Sequence, residues 1–491
     1  MSMWSFSMAF NPYLMMINTS GSLLGIIWGA MPGLSSTMGM ALLVGLTFSM
    51  PSDVAICFML GVFTGTVFGG AITATLINIP GTPDNVPEQM AGFPLAKKGF
   101  GGLVLGTAIT ASMIGNWMGI FLLILAVPVA LEFALKFTSW ELGLLMLWGV
   151  AISGTLTAGE RPLKGWISGW VGLLFAMVGR ELIHGYERFT FGNVYLSAGL
   201  PMIPAMIGLF GLAEVFDTLS EPSPYILPQK VGRVFPPLSM IFKYWKSIIR
   251  SSIVGLLTGI IPGPGAASAT YVSYGLGERF TKKDFSKGSF EGVICCEVAD
   301  NANIGGQLLP TLVLGIPGST TSAAFLAALG LHGIILGPTI QLEQPGILYF
   351  IFGALIVANF AMYLGAFALI KPSVKFFALP KTLLLPMVTL LCVIGSFVEG
   401  IEMFDVYMMF GFGLLGYLMR KTGFPPGPMI LGIILGSQAD QNLRRAMLVF
   451  QGDIIENILS RPIGLVLLAI VIFTFISGLI RKRVIMSAPN E

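Results

Sequence analysis

Apolar runs long enough to cross a bilayer recur along the chain, and clusters of glycine, proline and hydroxyl residues separate or interrupt them. A hydrocarbon core of about 30 Å needs roughly 20 apolar residues in helical form. Residues 102–129, 346–370 and 462–480 approach or exceed that length without one charged side chain. Further spans are expected at 141–155, 165–178, 200–216, 383–398 and 406–418, and the stretch GFPPGPMILGIILG (423–436) reads as a partial, hairpin-like crossing. The pattern predicts an all-α, polytopic membrane protein with roughly ten to twelve spans, some of them broken or re-entrant.

One interruption organises the rest. In EGVICCEVADNANIGGQLLPTLVLGIPGSTTS (291–322), Gly305-Gly306, Pro310 and Pro317-Gly318 are expected to remove helix hydrogen bonds inside an apolar setting. Ser319, Thr320, Thr321 and Ser322 follow, where a new half-helix would begin with its N–H groups unpaired. Broken helices of this kind hold anionic substrates at mid-membrane depth in many transporters.

The interruption has counterparts. GIIWGAMPGLSSTMGMA from Gly25 and GLLTGIIPGPGAASAT from Gly255 share G-x-x-x-G-x-x-P-G, with prolines at Pro32 and Pro262. FGGAITATLINIPGTP and IGGQLLPTLVLGIPGST then pair Gly69-Gly70 with Gly305-Gly306, and Pro80-Gly81 with Pro317-Gly318. The copies lie 230 residues apart at the first proline and 237 at the second, close to half the chain, which indicates an internal duplication. The expected organisation is an N-terminal repeat over 1–225, a basic connection over 226–250 and a C-terminal repeat over 251–491.

Composition sharpens this. The 491 residues are 55% hydrophobic and 10% charged, with a mean hydropathy of +0.84, outside the range of soluble globular proteins. The net charge of +3 says little, but its placement says more. The connection at 49–53 has no Lys or Arg, whereas its second-half equivalent GERFTKKDFSKG carries Arg279, Lys282, Lys283 and Lys287. The bias then reverses: GFPLAKKG brings Lys97 and Lys98, and LHGIILGPTIQLEQPG brings none. Short basic loops are cytoplasmic, so equivalent loops are expected on opposite sides, as in an inverted-topology repeat. The connection from Glu221 to Arg250 and the terminal Arg481–Val484 are assigned to the cytoplasmic side. The N-terminus has no basic n-region and no small-residue cleavage site, so no removable signal peptide is expected.

Candidate chemistry follows from the breaks. A lone Pro-Gly in a membrane helix is usually a packing kink, but four in two matched pairs, each trailed by hydroxyl or amide groups, point to a site. The candidate lining is Pro32, Gly33, Ser35, Ser36 and Thr37, then Asn78, Pro80, Gly81 and Thr82, then Pro262, Gly263, Ser268 and Thr270, then Asn301 and Pro317 to Ser322. Helix ends and hydroxyls could hold a carboxylate without a permanent counter-ion, and freed carbonyls could bind Na⁺. Asp84, Glu297 and Asp300 carry charge where it is costly; the functional reading is proton or cation coupling, and the alternative is interfacial or structural placement. Lys97 and Lys98 read as topological anchors. Cys57, Cys295, Cys296 and Cys392 lack metal spacing, and with only His184 and His332 a histidine metal site or triad is nearly excluded. Without GxxxxGK[ST] or a strand–turn–helix glycine loop, neither ATP drive nor nucleic-acid binding is expected, and no organic cofactor is implied.

The motifs GxxxGxxPG, GGxxxxxLxNIPGTP, GFPLAKKG and EGVxxxExxxNAxxGGxLxPTLxLGIPGSTT resemble the large membrane subunit of the tripartite tricarboxylate transporters, in the same order over most of the chain. The resemblance implies a multi-pass permease of the bacterial inner membrane that imports organic anions such as citrate, driven by a Na⁺ or H⁺ gradient. It implies as partners a small four-span membrane subunit and an extracytoplasmic solute-binding protein, and it is compatible with a homo-oligomer. The family's site falls on Pro32-Gly33, Pro80-Gly81, Pro262-Gly263 and Pro317-Gly318. Departures are Ser35-Ser36 in place of glycines, Asp84 in place of a small or neutral residue, and Asp300-Asn301 in place of Asn-Asn. The extra acids imply that a cation is held, that they stay protonated, or that the substrate is not an ordinary tricarboxylate. A stand-alone ion-coupled transporter is the second reading. A membrane enzyme is the third, without HExxH or a Ser/His pair behind it.

Overall fold

The computed structural model describes residues 4–31, 34–157, 161–220, 231–263, 265–376, 381–450 and 454–487. Pro32 and Gly33, and the part of the basic connection up to Lys230, lie outside the described residues. The longer helices are α1 Pro12–Gly29, α2 Ser36–Thr47, α3 Ser52–Ile77, α4 Val86–Leu95, α5 Gly101–Ala134, α6 Ser139–Thr157 and α7 Pro162–Ala176. A small antiparallel pair, β1 Gly179–Arg180 with β2 Glu187–Arg188, precedes α8 Met202–Ser220, which contains a π-helical segment at Ile207–Leu212. Then follow α9 Trp245–Ile260, α10 Gly265–Thr281, α11 Phe290–Leu314, α12 Thr320–Leu331, α13 Ile347–Phe376, α14 Lys381–Gly400, α15 Met403–Thr422, α16 Pro426–Phe450 and α17 Pro462–Ser487. The protein is all-α and polytopic. Five helical stretches among the described residues are long and apolar enough to cross a membrane by length and composition: Ser52–Ile77, Pro83–Ala134, Ser139–Thr157, Met202–Ser220 and Ile347–Pro372.

Glycine decides which helices touch. Gly21, Gly25 and Gly29 on α1 face Gly61, Gly65 and Gly69 on α3, and a Cβ at any of them would strike the partner's backbone. Small residues four apart let backbones approach where lipid offers no hydrophobic drive between helices. Gly255 and Gly259 on α9 meet Ala299, Asn303 and Gly306 on α11 in the same way. α3 is buried along its whole length apart from its first two residues, and α11 is nearly so, while α5, α7, α15 and α17 carry rows of exposed large apolar residues such as Phe121, Leu125, Trp170, Leu174, Leu414 and Phe473. The former are the core and the latter suit a lipid boundary.

α3 and α11 share a set of contacts at an offset of 237 residues. Both helices end on a left-handed residue, Asn78 (φ 58°) and Gly315 (φ 69°). Gly81 is wedged against the Gly29 carbonyl and the Gly70 Cα; Gly318 is wedged against the Gly259 carbonyl and the Gln307 Cα. Thr82 and Ser319 then open the next helical turns from extended backbone. Contacts therefore pair Gly69 with Gly306 and Gly70 with Gln307, one residue away from the pairing that the GG motifs suggest. The loops before Pro80 and Pro317 have the same length, two residues each; the extra residue lies inside α11, between Gly305-Gly306 and the helix end, and packing counts from the break.

Other expectations change too. Gly305-Gly306 and Pro310 do not interrupt the chain: α11 runs unbroken to Leu314, and the interruption is confined to 315–319. The glycines serve close packing, Gly305 against Gly119 of α5 and Gly306 against Leu256 and Gly259 of α9. The GFPPGPMILGIILG stretch is no hairpin but the start of the continuous α16, because Pro426 and Pro428 occupy a first turn whose N–H groups need no helical partner. The basic connection is shorter than expected, since Trp245 to Arg250 already belong to α9. Its residues 232–234 run along α5, with the Arg233 and Val234 carbonyls against Gly102 and Gly106.

Basic segments gather at one end. Lys98 Nζ donates to the Lys287 carbonyl at 3.1 Å, and Ser289 N to the Ala91 carbonyl at 3.0 Å, beside the connection. At the other end of α3, about 39 Å away for 26 helical residues, Thr47 Oγ1 and His332 Nε2 lie 3.3 Å apart.

Replacing Gly255 by Leu is expected to destabilise the protein by about 1–3 kcal/mol or more through overpacking against Ala299. Gly275→Ala, where a Cβ meets nothing within 4 Å, is expected to leave stability unchanged or raise it by up to about 1 kcal/mol. Thermal unfolding of the purified protein in detergent compares the two.

Candidate functional site

The second break of each half folds back onto the last two turns of its own long helix, Gly81 on Gly70 and Gly318 on Gln307, and the first break of the second half joins it. Gly263 N donates to the Gly318 carbonyl at 2.9 Å, a bond that needs Gly263 at φ 105°. That positive φ suits glycine because no Cβ is present to clash. Pro262 and Pro317 are buried beside it, and Pro80 is half-buried. Half-helices start here: α2 and α12 have 12 residues each, about 18 Å, too short to cross alone.

The starts of α2 and α12 meet. Thr37 Oγ1 lies 2.8 Å from Thr320 Oγ1 and 3.0 Å from Thr321 Oγ1, so hydroxyls from the first and last breaks form one cluster. Ser35 caps α2 by accepting from Met38 N at 3.2 Å, and Ser36 Oγ donates to the Thr66 carbonyl half-way along α3. Ser319 caps α12 through a reciprocal capping box with Ser322, and its hydroxyl also donates to Gln307 Oε1. Two helix N-termini thus converge with neutral donors between them, an arrangement suited to an anion.

The equivalent place in the other pairing differs. Thr82 Oγ1 donates to Asn85 Oδ1 at 2.7 Å, as Ser319 pairs with Ser322. Where the second half has Thr321, the first has Asp84. Around it lie Glu88 of α4 and Glu297 and Asp300 of α11. Glu88 and Glu297 are within hydrogen-bonding reach of each other, and Asp300 feels both Asp84 and Glu297. Glu88 also accepts from Thr75 and Asn85 at 3.5 Å each, and Glu297 accepts from Ser112 of α5 and, at 3.3 Å, from Asn301. All of Glu88, Glu297 and Asp300 are at most 1% exposed. Among the described residues, no ion pair includes any of the four acids.

Three expected lining residues sit elsewhere. Asn301 is buried between α5 and α11, bonded to Asn116 at 3.2 Å and to the Glu297 carbonyl at 2.9 Å. Asn78 is exposed, its carbonyl and side chain accepting from Gln89 at 2.8 and 3.0 Å. Thr270 bonds back to the Ala267 carbonyl within α10. Reasoning from the breaks missed Glu88, although it stands four residues after Asp84, the spacing of one helix face. It also missed Ser112 and Asn116, a polar pair four apart in the largely apolar α5. A cavity of about 170 Å³ lies away from all this, at the β1–β2 turn. Its charged lining is already paired, Arg188 with Asp440 at 3.0 Å, Arg180 with Glu187 at 3.4 Å, and Glu181 accepting from Ile183 N and His184 N at 2.7 Å each, so the breaks are the better candidate.

The model of the tripartite tricarboxylate transporter TctA family matches residues 15–431, the region containing all four breaks. The chain belongs to that family. An uncharacterized 52.8 kDa protein of Agrobacterium vitis, from the TAR-I ttuC' 3' region, is 32% identical over 462 residues, 92% of this chain and 90% of that protein. Another A. vitis protein, from the TAR-II ttuC' 3' region, is 33% identical over 201 residues, 40% of this chain and 83% of its own length. No solved structure matches. This TctA-family chain is therefore a multi-pass membrane protein of a transporter family.

Ser319→Ala is expected to cost about 1 kcal/mol of stability through loss of the cap, read as a lowered unfolding midpoint of the purified protein.

Proposed function

We propose that this chain is the transporting subunit of a secondary-active system that imports organic carboxylates, with the Thr37, Thr320 and Thr321 hydroxyls at the converging starts of α2 and α12 as its anion site. That meeting of two half-helices from different halves is the observation that carries the reading. A carboxylate there would take hydrogen bonds from hydroxyls and freed N–H groups while the two N-termini supply partial positive charge. The acids stay on the other, quasi-equivalent side, where Asp84, Glu297 and Asp300 would serve ion coupling without repelling the substrate. This answers the difficulty that extra acids pose in an anion transporter.

The two halves are read as an inverted repeat. Support comes from the matched break geometry at offset 237 and from the gathering of Lys98, Lys287 and the connection at one end, with Thr47 and His332 at the other. The basic end is taken as cytoplasmic, in the inner membrane. The family implies a small four-span subunit and a solute-binding protein that delivers substrate. A tricarboxylate is the substrate class the family description names.

The test is uptake into proteoliposomes across a panel of di- and tricarboxylates, with the binding protein and small subunit supplied. Thr37→Val and Thr321→Val are each expected to raise KM about tenfold, since a hydrogen bond to a charged group contributes about 1.5–3 kcal/mol. Wild-type KM in both variants rejects the site, and no uptake or exchange of any carboxylate rejects the function.

A further inference from the structure

We propose that Glu88 and Glu297, with Asp300 beside them, form a proton site, and that a proton held between the first two is the coupling ion of this chain. The proposal rests on the transport reading above and specifies how uptake is driven.

Three observations carry it. First, an ionised carboxylate offers only acceptors, so two carboxyl groups within hydrogen-bonding reach, as Glu88 and Glu297 are, are joined only when one carries a proton. Like charges at such range do not both ionise in a buried site. Second, Asp300 lies one turn beyond Glu297, is 1% exposed, and has no hydrogen-bond partner on either carboxyl oxygen. It faces Asp84 and Glu297, so it is a buried acid aimed into the cluster with nothing else to hold. Third, the pair joins elements of both halves: Glu88 is on α4, directly after the second break of the first half, and Glu297 is on α11 of the second. A proton between them ties the halves together, and its loss separates two charges across the seam.

The surroundings define the chemistry. The titratable groups that face the pair are Asp84 from the 3₁₀ turn Pro83–Asn85, Asp300 and Cys296 from α11, and Tyr271 of α10 beyond Asp84 and Cys296. From α5 and α3 come only neutral donors, Ser112 and Thr75. The cation that α9 brings to α11, Arg250, is occupied by Ser247 and Cys295 at 3.2 and 3.6 Å, and Glu291 bonds Ser247 at 2.6 Å on the same turn. A hydrated-shell replacement for Na⁺ would draw on carbonyls freed by an unwound helix; α11 is continuous through 297–301, so such a site would have to use the break at 78–82 beside Asp84, and the Na⁺ arm of the experiment tests it. Among the described residues no three His, Cys, Asp or Glu side chains are grouped as a metal cage. One proton enters from water on the outer side, sits between the two carboxyls, and leaves to water on the inner side; nothing is oxidised or reduced.

Reconstituted wild-type protein with its partners is given radiolabelled citrate, malate and succinate under either a pH gradient without Na⁺ or a Na⁺ gradient at equal pH. The expected result is accumulation driven by the pH gradient alone, reduced about tenfold in both Glu88→Gln and Glu297→Gln, with the pH profile flattened. Glu88→Asp, which keeps a carboxyl, is expected to retain pH-driven accumulation with a displaced profile. Each variant is first checked for wild-type elution on size exclusion. Accumulation driven only by Na⁺, or a wild-type pH profile in both Gln variants, overturns the proposal while leaving the carboxylate reading standing. Absence of both uptake and exchange for all three probes removes that reading, and the proposal with it.

Discussion

Backbone touches backbone where α1 meets α3 and where α9 meets α11, and the rest of the architecture depends on that contact. A Cβ at Gly25, Gly29, Gly255 or Gly259 would meet the partner helix's backbone at 2.2–2.7 Å and force the helices apart. The breaks would then lose their seats, because Gly81 and Gly318 are wedged against the Gly29 and Gly259 carbonyls of those same seams. In lipid, where apolar side chains gain nothing by leaving one apolar medium for another, close packing and hydrogen bonds are what hold helices in place. The glycine seams thus set the depth at which the chain turns back on itself.

From that constraint comes a quasi-symmetric frame with an asymmetric filling. Both long helices end on a left-handed residue, both breaks fold back onto the last turns of those helices, and both next helical turns follow a hydroxyl residue in extended backbone, Thr82 and Ser319. The places one residue or two beyond those hydroxyls differ in chemistry: Thr320 and Thr321 on one side, Pro83 and Asp84 on the other. Hydroxyls at helix starts favour negative charge, and buried acids favour protons or cations. Two places matched in backbone geometry thus carry unlike polar side chains, hydroxyls at one and buried acids at the other.

Much of the candidate site was legible because its signals are local. Pro-Gly pairs, the hydroxyls after them and acids within apolar surroundings are conspicuous in a hydrophobic sequence. The partners were not. Glu88 looked like an ordinary first-turn helix acid, and only the packing of α4 on α11 brought it to Glu297. Asn301, conspicuous within its motif, turned out to face α5, because one helical residue is a rotation of about 100° and the motif does not say which neighbour stands where. The glycines at 305 and 306 misled for a related reason: a pair of glycines in a helix serves either a bend or a close approach, and the partner decides.

Hydropathy, repeat spacing and charge bias in the sequence determined that the chain is helical, lives in a membrane, and carries matched breaks, since each follows from chain-local chemistry meeting lipid or water. The three-dimensional structure alone decided which breaks meet, the one-residue shift in the pairing of the halves, the continuity of α11 and α16, and the junction of Glu88 with Glu297. Those are contacts between residues as many as 284 positions apart, and they are fixed by how whole helices pack, which no short stretch of sequence encodes.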